Sequence, residues 1–83
     1  MEKKIGSALI IVENNNSVSA LNEILSRHGD LILGRQGIPL KSKGIKVISI
    51  VYEGSTDQIG SLTGQIGKLK GIRVKSLVSK CST

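Results

Sequence analysis

The side chains that could do covalent or metal chemistry in this chain are few and scattered: one imidazole, His28, one thiol, Cys81, and six carboxylates. A nucleophile needs a base beside it, and a structural zinc or iron–sulfur site needs about four ligands drawn from His, Cys and carboxylates. One His and one Cys do not supply that set within a single chain. A metal shared between identical subunits, built on His28 or Cys81 from each, is the one arrangement this inventory leaves open. The carboxylates Glu2, Glu13, Glu23, Asp30, Glu53 and Asp57 fall near element ends or in turns, so none forms an acid/base pair with another. The stretch Gly64-Gln65-Ile66-Gly67-Lys68-Leu69 invites a phosphate-loop reading and fails it. Leu69 stands where a Walker A loop needs Ser or Thr, and Leu62 stands where its first glycine belongs; a dinucleotide fingerprint ending at Gly67 fails at Leu62 as well. No catalytic residue, no metal ligand and no cofactor is therefore expected.

Charge says more than chemistry. The net charge is +6. Lys3, Lys4, Arg27 and Arg35 are cancelled by Glu2, Glu13, Glu23 and Asp30, so the whole excess lies in residues 41–83, where seven lysines and Arg73 face only Glu53 and Asp57. A basic half of this kind steers anions, and nucleic-acid binding through Lys43, Arg73 and Lys75 is the alternative functional reading. With no Trp, no Phe and one Tyr, the chain lacks a platform on which bases could stack, and no known reading element stands out.

The elements that must position these residues follow from hydrophobic spacing and turn chemistry. At 83 residues, 39% hydrophobic and 22% charged, the composition is that of one small globular domain rather than a disordered or membrane-spanning chain. A single domain is expected over 1–83, with a core of about 4–78 and a polar tail at 79–83, where Cys81 is expected exposed and inert. Ile5–Val12 is a strand-like apolar run, too short for the ~20 residues that span a bilayer and without a following cleavage site. A cytoplasmic protein with no membrane partner is the corresponding expectation. Asn14, Asn15 and Asn16 are turn and cap residues; Asn16 or Ser17 caps a helix with Val18, Leu21, Leu25 and His28 on one stripe, widened by Ala20 and Ile24 and stopped by Gly29. His28 is expected to cap carbonyls at that helix end. A second strand runs from Leu31 to about Ile38, and Pro39 puts it at a sheet edge. After the basic turn Lys41–Gly44, Ile45–Tyr52 is the second strong strand. Ser55 with Gln58 forms a capping box for a helix whose Ile59, Leu62, Ile66 and Leu69 share one face and which Gly71 ends. Ile72–Val78 then alternates, Ile72, Val74 and Val78 against Arg73 and Lys75.

The resulting order, βαββαβ, is the α+β ferredoxin-like pattern: a four-stranded antiparallel sheet, first and third strands central, with both helices on one face. The two central strands are apolar on both faces, so an aliphatic patch remains on the side without helices, whichever that is. Such a patch marks an interface, and a chain of this length, which buries only about 60% of its unfolded surface, gains by self-association. Ile48 and Ile50 are the expected interface residues. Gly60, Gly64 and Gly67 form a second stripe along the second helix, and close approach of another backbone there is the corresponding expectation.

Two segments also resemble a known family. Leu31–Pro39 reads LILGRQGIP and resembles an ILxRxGxP second strand; Ile59–Lys75 reads IGSLTGQIGKLKGIRVK and resembles the IGxLSGKLGxIxGVxVK helix and strand of the bacterial iron-only hydrogenase system regulators. The resemblance extends from the first strand to Lys75. It implies an ACT-like domain, similar to amino-acid-binding ACT domains and to the C-terminal domain of the nickel-responsive repressor. It also implies a non-enzymatic regulatory role in maturation or expression of the hydrogenase, exercised as a homo-oligomer (dimer or tetramer), with a small-molecule effector or a protein partner. The chain departs from those relatives: it has neither a ribbon-helix-helix segment nor a His-rich metal set, and Glu13–Ser17 replaces the Pro-Gly turn of ACT domains. A polar loop entering a helix N-terminus can hold a carboxylate, and Asn14, Asn15, Asn16 and Arg35 are the candidate ligand-binding residues.

Overall fold

The computed structural model describes residues 3–79; Cys81 lies outside them. The strands are β1 (Lys4–Val12), β2 (Ile32–Leu40), β3 (Ile45–Gly54) and β4 (Ile72–Ser79); the helices are α1 (Val18–Arg27), between β1 and β2, and α2 (Thr56–Gly67), between β3 and β4. All neighbours in the sheet are antiparallel, in the order β2-β3-β1-β4. This is the expected α+β, ferredoxin-like, ACT-like arrangement, with the two most apolar strands in the middle and Pro39 on an edge. Ser79, assigned from sequence to the tail, extends β4 by pairing with Ile5.

One side of the sheet carries the core. Ala8, Ile10 and Val12 from β1 and Ile48, Ile50 and Tyr52 from β3 are buried with Leu21, Ile24 and Leu25 of α1 and Ile59, Leu62 and Ile66 of α2. The helical stripes read from the sequence are those that face the sheet, except that Ala20 is exposed. Ser55 and Gln58 make the capping box in both directions, the Ser55 N–H donating to Gln58 Oε1 at 2.9 Å and the Gln58 N–H to Ser55 Oγ at 3.2 Å. Three helix ends differ from expectation. Ser17 stands at the N-cap of α1, yet its side chain makes no cap hydrogen bond, and Asn16 lies in the preceding 3₁₀ turn. α1 stops at His28, whose Nδ1 donates to the Ile24 carbonyl at 2.7 Å; Gly29 does not adopt a positive φ, so the imidazole, and not a left-handed glycine, closes that end. α2 stops at Gly67, a turn short of Gly71, so Lys68 and Lys70 lie beyond its last turn.

Tyr52, the one aromatic residue, lies across Gly6, its register partner on β1. A Cβ on Gly6 would come within 2.6 Å of both Tyr52 Cε1 and the Leu77 carbonyl oxygen, so the ring occupies the space a side chain would need. The phenol donates to the Ser7 carbonyl at 3.2 Å. Burial pushes the phenol above the ordinary tyrosine range, a hydrogen bond with Ser76 acting in the opposite sense.

Gly6→Ala is expected to destabilise the fold by about 1–3 kcal/mol through overpacking, read by urea unfolding. Because the folded pKa of Tyr52 is raised, the stability this group contributes is complete below about pH 10, the ordinary tyrosine value, and is lost as pH climbs through the folded pKa. Tyr52→Phe should cost about 1 kcal/mol at neutral pH and remove that component of the alkaline decline, measured as the difference between wild-type and variant stability against pH.

Candidate functional site

The residues singled out from the sequence do not converge on one place. Asn14, Asn15 and Asn16 form the turn after β1: Asn14 Oδ1 accepts the Asn16 N–H at 2.9 Å, and residues Asn15–Ser17 make one 3₁₀ turn leading into α1. The turn is fastened to the α2–β4 connection. The Glu13 N–H donates to the Gly71 carbonyl at 2.7 Å, Ser17 Oγ donates to the Lys70 carbonyl at 2.7 Å, and Asn14 packs against Gly71, which has a φ of 73°. Arg73 Nε lies 3.5 Å from Glu13 Oε1, the one ion pair among the described residues. Asn14 is thus a brace between two connections. Arg35 stands elsewhere: it is opposite Ile50 on β3, whereas Val12, the last residue of β1, is opposite Lys46. Those four residues of offset amount to about 13 Å along the strand direction, and two strand spacings lie between as well. The structure does not assemble Asn14, Asn15, Asn16 and Arg35 into a single site.

The expected interface residues are corrected in the same way. Ile48 and Ile50 are 2% and 0% exposed and belong to the core under the helices; they are not on the open face. Gly60, Gly64 and Gly67 are exposed, and a Cβ on Gly60 or Gly64 would meet nothing within 4 Å. Among the described residues, therefore, no close backbone approach explains them. Lys43 sits in the β2–β3 turn at one edge of the sheet, while Arg73 and Lys75 lie on β4 at the other, so the three cations of the nucleic-acid reading do not make one patch. Among the described residues no three His, Cys, Asp or Glu are grouped to hold a metal, and no helix is long and apolar enough to cross a membrane.

What the register does assemble is the face away from the helices. Cross-strand partners point to the same side, and five rows follow from the pairings: Ser79, Ile5 and Glu53; Leu77, Ser7, Val51 and Gly34; Lys75, Leu9, Ser49 and Gln36; Arg73, Ile11, Val47 and Ile38; and, beyond them, Ile45 with Leu40. The middle of this face is aliphatic. Leu9 is 45%, Val51 41% and Ile38 44% exposed. The β4 margin is cationic, and between β1 and β4 a shallow hollow of about 130 Å³ is lined by Leu9, Ile11, Arg73 and Lys75. The sequence hinted at the correct parity: Ser7, Ser49 and Glu53 interrupt the open side of the central strands, whereas Ile48, Ile50 and Tyr52 run unbroken on the other.

Comparison with known proteins places this chain in context. The family model matching residues 4–76 is the TM1266-like model, described, provisionally, as "Iron-only hydrogenase system regulator". Among solved structures, the uncharacterised protein TM1266 from Thermotoga maritima superposes with a TM-score of 0.88 at 31% identity, covering 93% of this chain and 98% of that one. The C-terminal domain of the MgtC protein from Mycobacterium tuberculosis superposes at 0.66 with 8% identity, over 93% of this chain and 88% of that chain. A protein of unknown function from Galdieria sulphuraria gives 0.65 at 10% identity, over 99% of this chain and 48% of that one. At these low identities the last two show a shared fold alone. None of the curated proteins compared with the chain matches it.

The brace at Gly71 yields a direct expectation. Gly71→Ala forces a Cβ into Asn14 and a side chain into a left-handed backbone, which together should cost more than the ~1–2 kcal/mol of the backbone conformation alone. Glu13→Gln, which loses only an exposed ion pair, should stay within about 1 kcal/mol of wild type. Parallel urea titrations of the two variants read the contrast.

Proposed function

The chain belongs to the TM1266-like family of iron-only hydrogenase system regulators, and on that footing we propose that it is a cytoplasmic, non-enzymatic regulatory module of that system which works as a homo-oligomer paired through the open face of its sheet. The observation that carries this reading is the aliphatic centre of that face, Leu9, Ile11, Val47 and Val51, over which no element lies among the described residues. A sheet of four strands about 4.8 Å apart and about eight residues long offers roughly 500 Å² of face. Two such faces together reach about 1,000 Å², the lower bound for a specific interface. Pairing about a two-fold axis is the simplest way for one patch to satisfy another, and it would roof the hollow beside Leu9 and Ile11. A small-molecule effector enclosed there, or a protein partner bound at the rim, would then shift the association equilibrium by its preference for the paired state.

Nothing in the arrangement of cations favours the nucleic-acid reading, since Lys43 and the pair Arg73 and Lys75 occupy opposite edges. Val47→Lys and Val51→Lys place a charge in the middle of the open face without touching the helix side. Sedimentation velocity is expected to find wild type associated and both variants monomeric, with unchanged circular dichroism. Variants that sediment like wild type would remove the face from the interface.

A further inference from the structure

The two edges of the sheet are built differently. β2 is an unfavourable edge for another strand: Pro39 lacks an N–H, Gly34 and Gly37 weaken it, and its pairing with β3 slips between Ile32 and Gly34. β4 has none of these interruptions. Its eight residues contain no Pro and no Gly, they pair with β1 in unbroken register from Ile72 to Ser79, and among the described residues no strand lies beyond them. An edge strand presents a row of unpaired N–H and C=O groups. Along this one Leu77 is 74% and Val78 42% exposed.

We propose that β4 receives a fifth strand from another polypeptide, an extended segment that alternates acidic with aliphatic residues. The sign of the partner follows from the charges on the edge. Arg73 and Lys75 lie two residues apart on the same face; Arg73 has Glu13 beside it, and no ion pair engages Lys75 among the described residues. A second β4 would be a poor occupant. Antiparallel pairing across a two-fold axis sets residues of equal parity opposite each other. A register centred on Lys75 opposes two lysines, and one centred on Val74 opposes Arg73 to Lys75. Registers centred on Ser76 or Leu77 avoid those clashes, yet they bring four cations together along the seam, where only the Glu13 beside each Arg73 offsets them, in a protein of net charge +6. Cations on an edge deter indiscriminate pairing; here they admit strands of the opposite sign. The main chain supplies affinity in strand addition and alternate side chains supply specificity. An antiparallel partner would place aliphatic residues opposite Val78 and Leu77, a small residue opposite Ser76, an acid opposite Lys75, an aliphatic residue opposite Val74 and an acid opposite Arg73. This inference rests on the protein-partner arm of the proposed function and not on pairing through the open face.

The probe is the labelled peptide Thr-Ile-Val-Thr-Glu-Val-Glu-Thr, titrated with the full chain and followed by fluorescence anisotropy. Expected are saturable binding, at least tenfold weaker binding of the Glu-to-Lys peptide, and reversal of that preference by the double variant Arg73→Glu/Lys75→Glu. Of two peptides N-methylated at alternate positions, one should lose binding while the other keeps it, because only alternate amides face the edge. Absence of binding to a folded chain, or binding that ignores both N-methylated peptides, overturns the proposal. Val51→Lys, titrated in parallel, should bind the peptide like wild type. Edge recognition and face pairing can then fail independently.

Discussion

The structure depends on an imbalance of coverage: four strands, two helices, and both helices on the same side. A sheet with one face in water ordinarily alternates apolar and polar residues. Here β1 and β3 alternate only weakly. Their inward set, Ala8, Ile10, Val12, Ile48, Ile50 and Tyr52, fills the space beneath α1 and α2, while their outward set keeps Leu9, Ile11, Val47 and Val51. Apolar burial stabilises by about 25 cal/mol per Å², so leaving that outward set in water forgoes stabilisation that a short chain can ill do without. The proposed pairing of two copies follows from what closes that side.

The remaining constraints hold the sheet to the geometry that creates the face. Gly6 yields its space to Tyr52, which anchors its hydroxyl on the Ser7 carbonyl. At the far end of β1 the turn of asparagines is tied to Lys70 and Gly71 by two hydrogen bonds and a close contact. That fastening sets where β4 begins, and so determines that Arg73 and Lys75 stand beside Ile11 and Leu9. Asn14, one of the residues that a sequence reading associates with ligand binding, packs against Gly71 within this fastening.

Much of this was legible in the residues. Strand and helix order, the central position of β1 and β3, the edge position forced by Pro39, the capping box at Ser55 and the buried stripe of α2 all rest on local spacing or local stereochemistry, which the structure leaves intact. Facing was harder. Both parities of β1 and β3 are aliphatic, and Ser7, Ser49 and Glu53 on the open side are weak signals beside six aliphatic residues; Ile48 and Ile50, expected at the interface, lie beneath the helices instead. Proximity was harder still. Arg35 and the asparagines look combinable because each sits near a strand end or loop in the sequence, and only the pairing register reveals the offset between them. The termination of α1 by the His28 ring, where Gly29 was the obvious stop, shows a side chain doing the work expected of a backbone conformation.

The central claim is that a second copy covers the open face. Small-angle X-ray scattering of the full chain at tens of micromolar tests it most directly. The forward intensity should give about twice the mass of one chain, in a particle thickened across the sheets into four layers, helix, sheet, sheet and helix. A single-chain mass, with a radius of gyration near the 12.8 Å of the isolated fold, would contradict it.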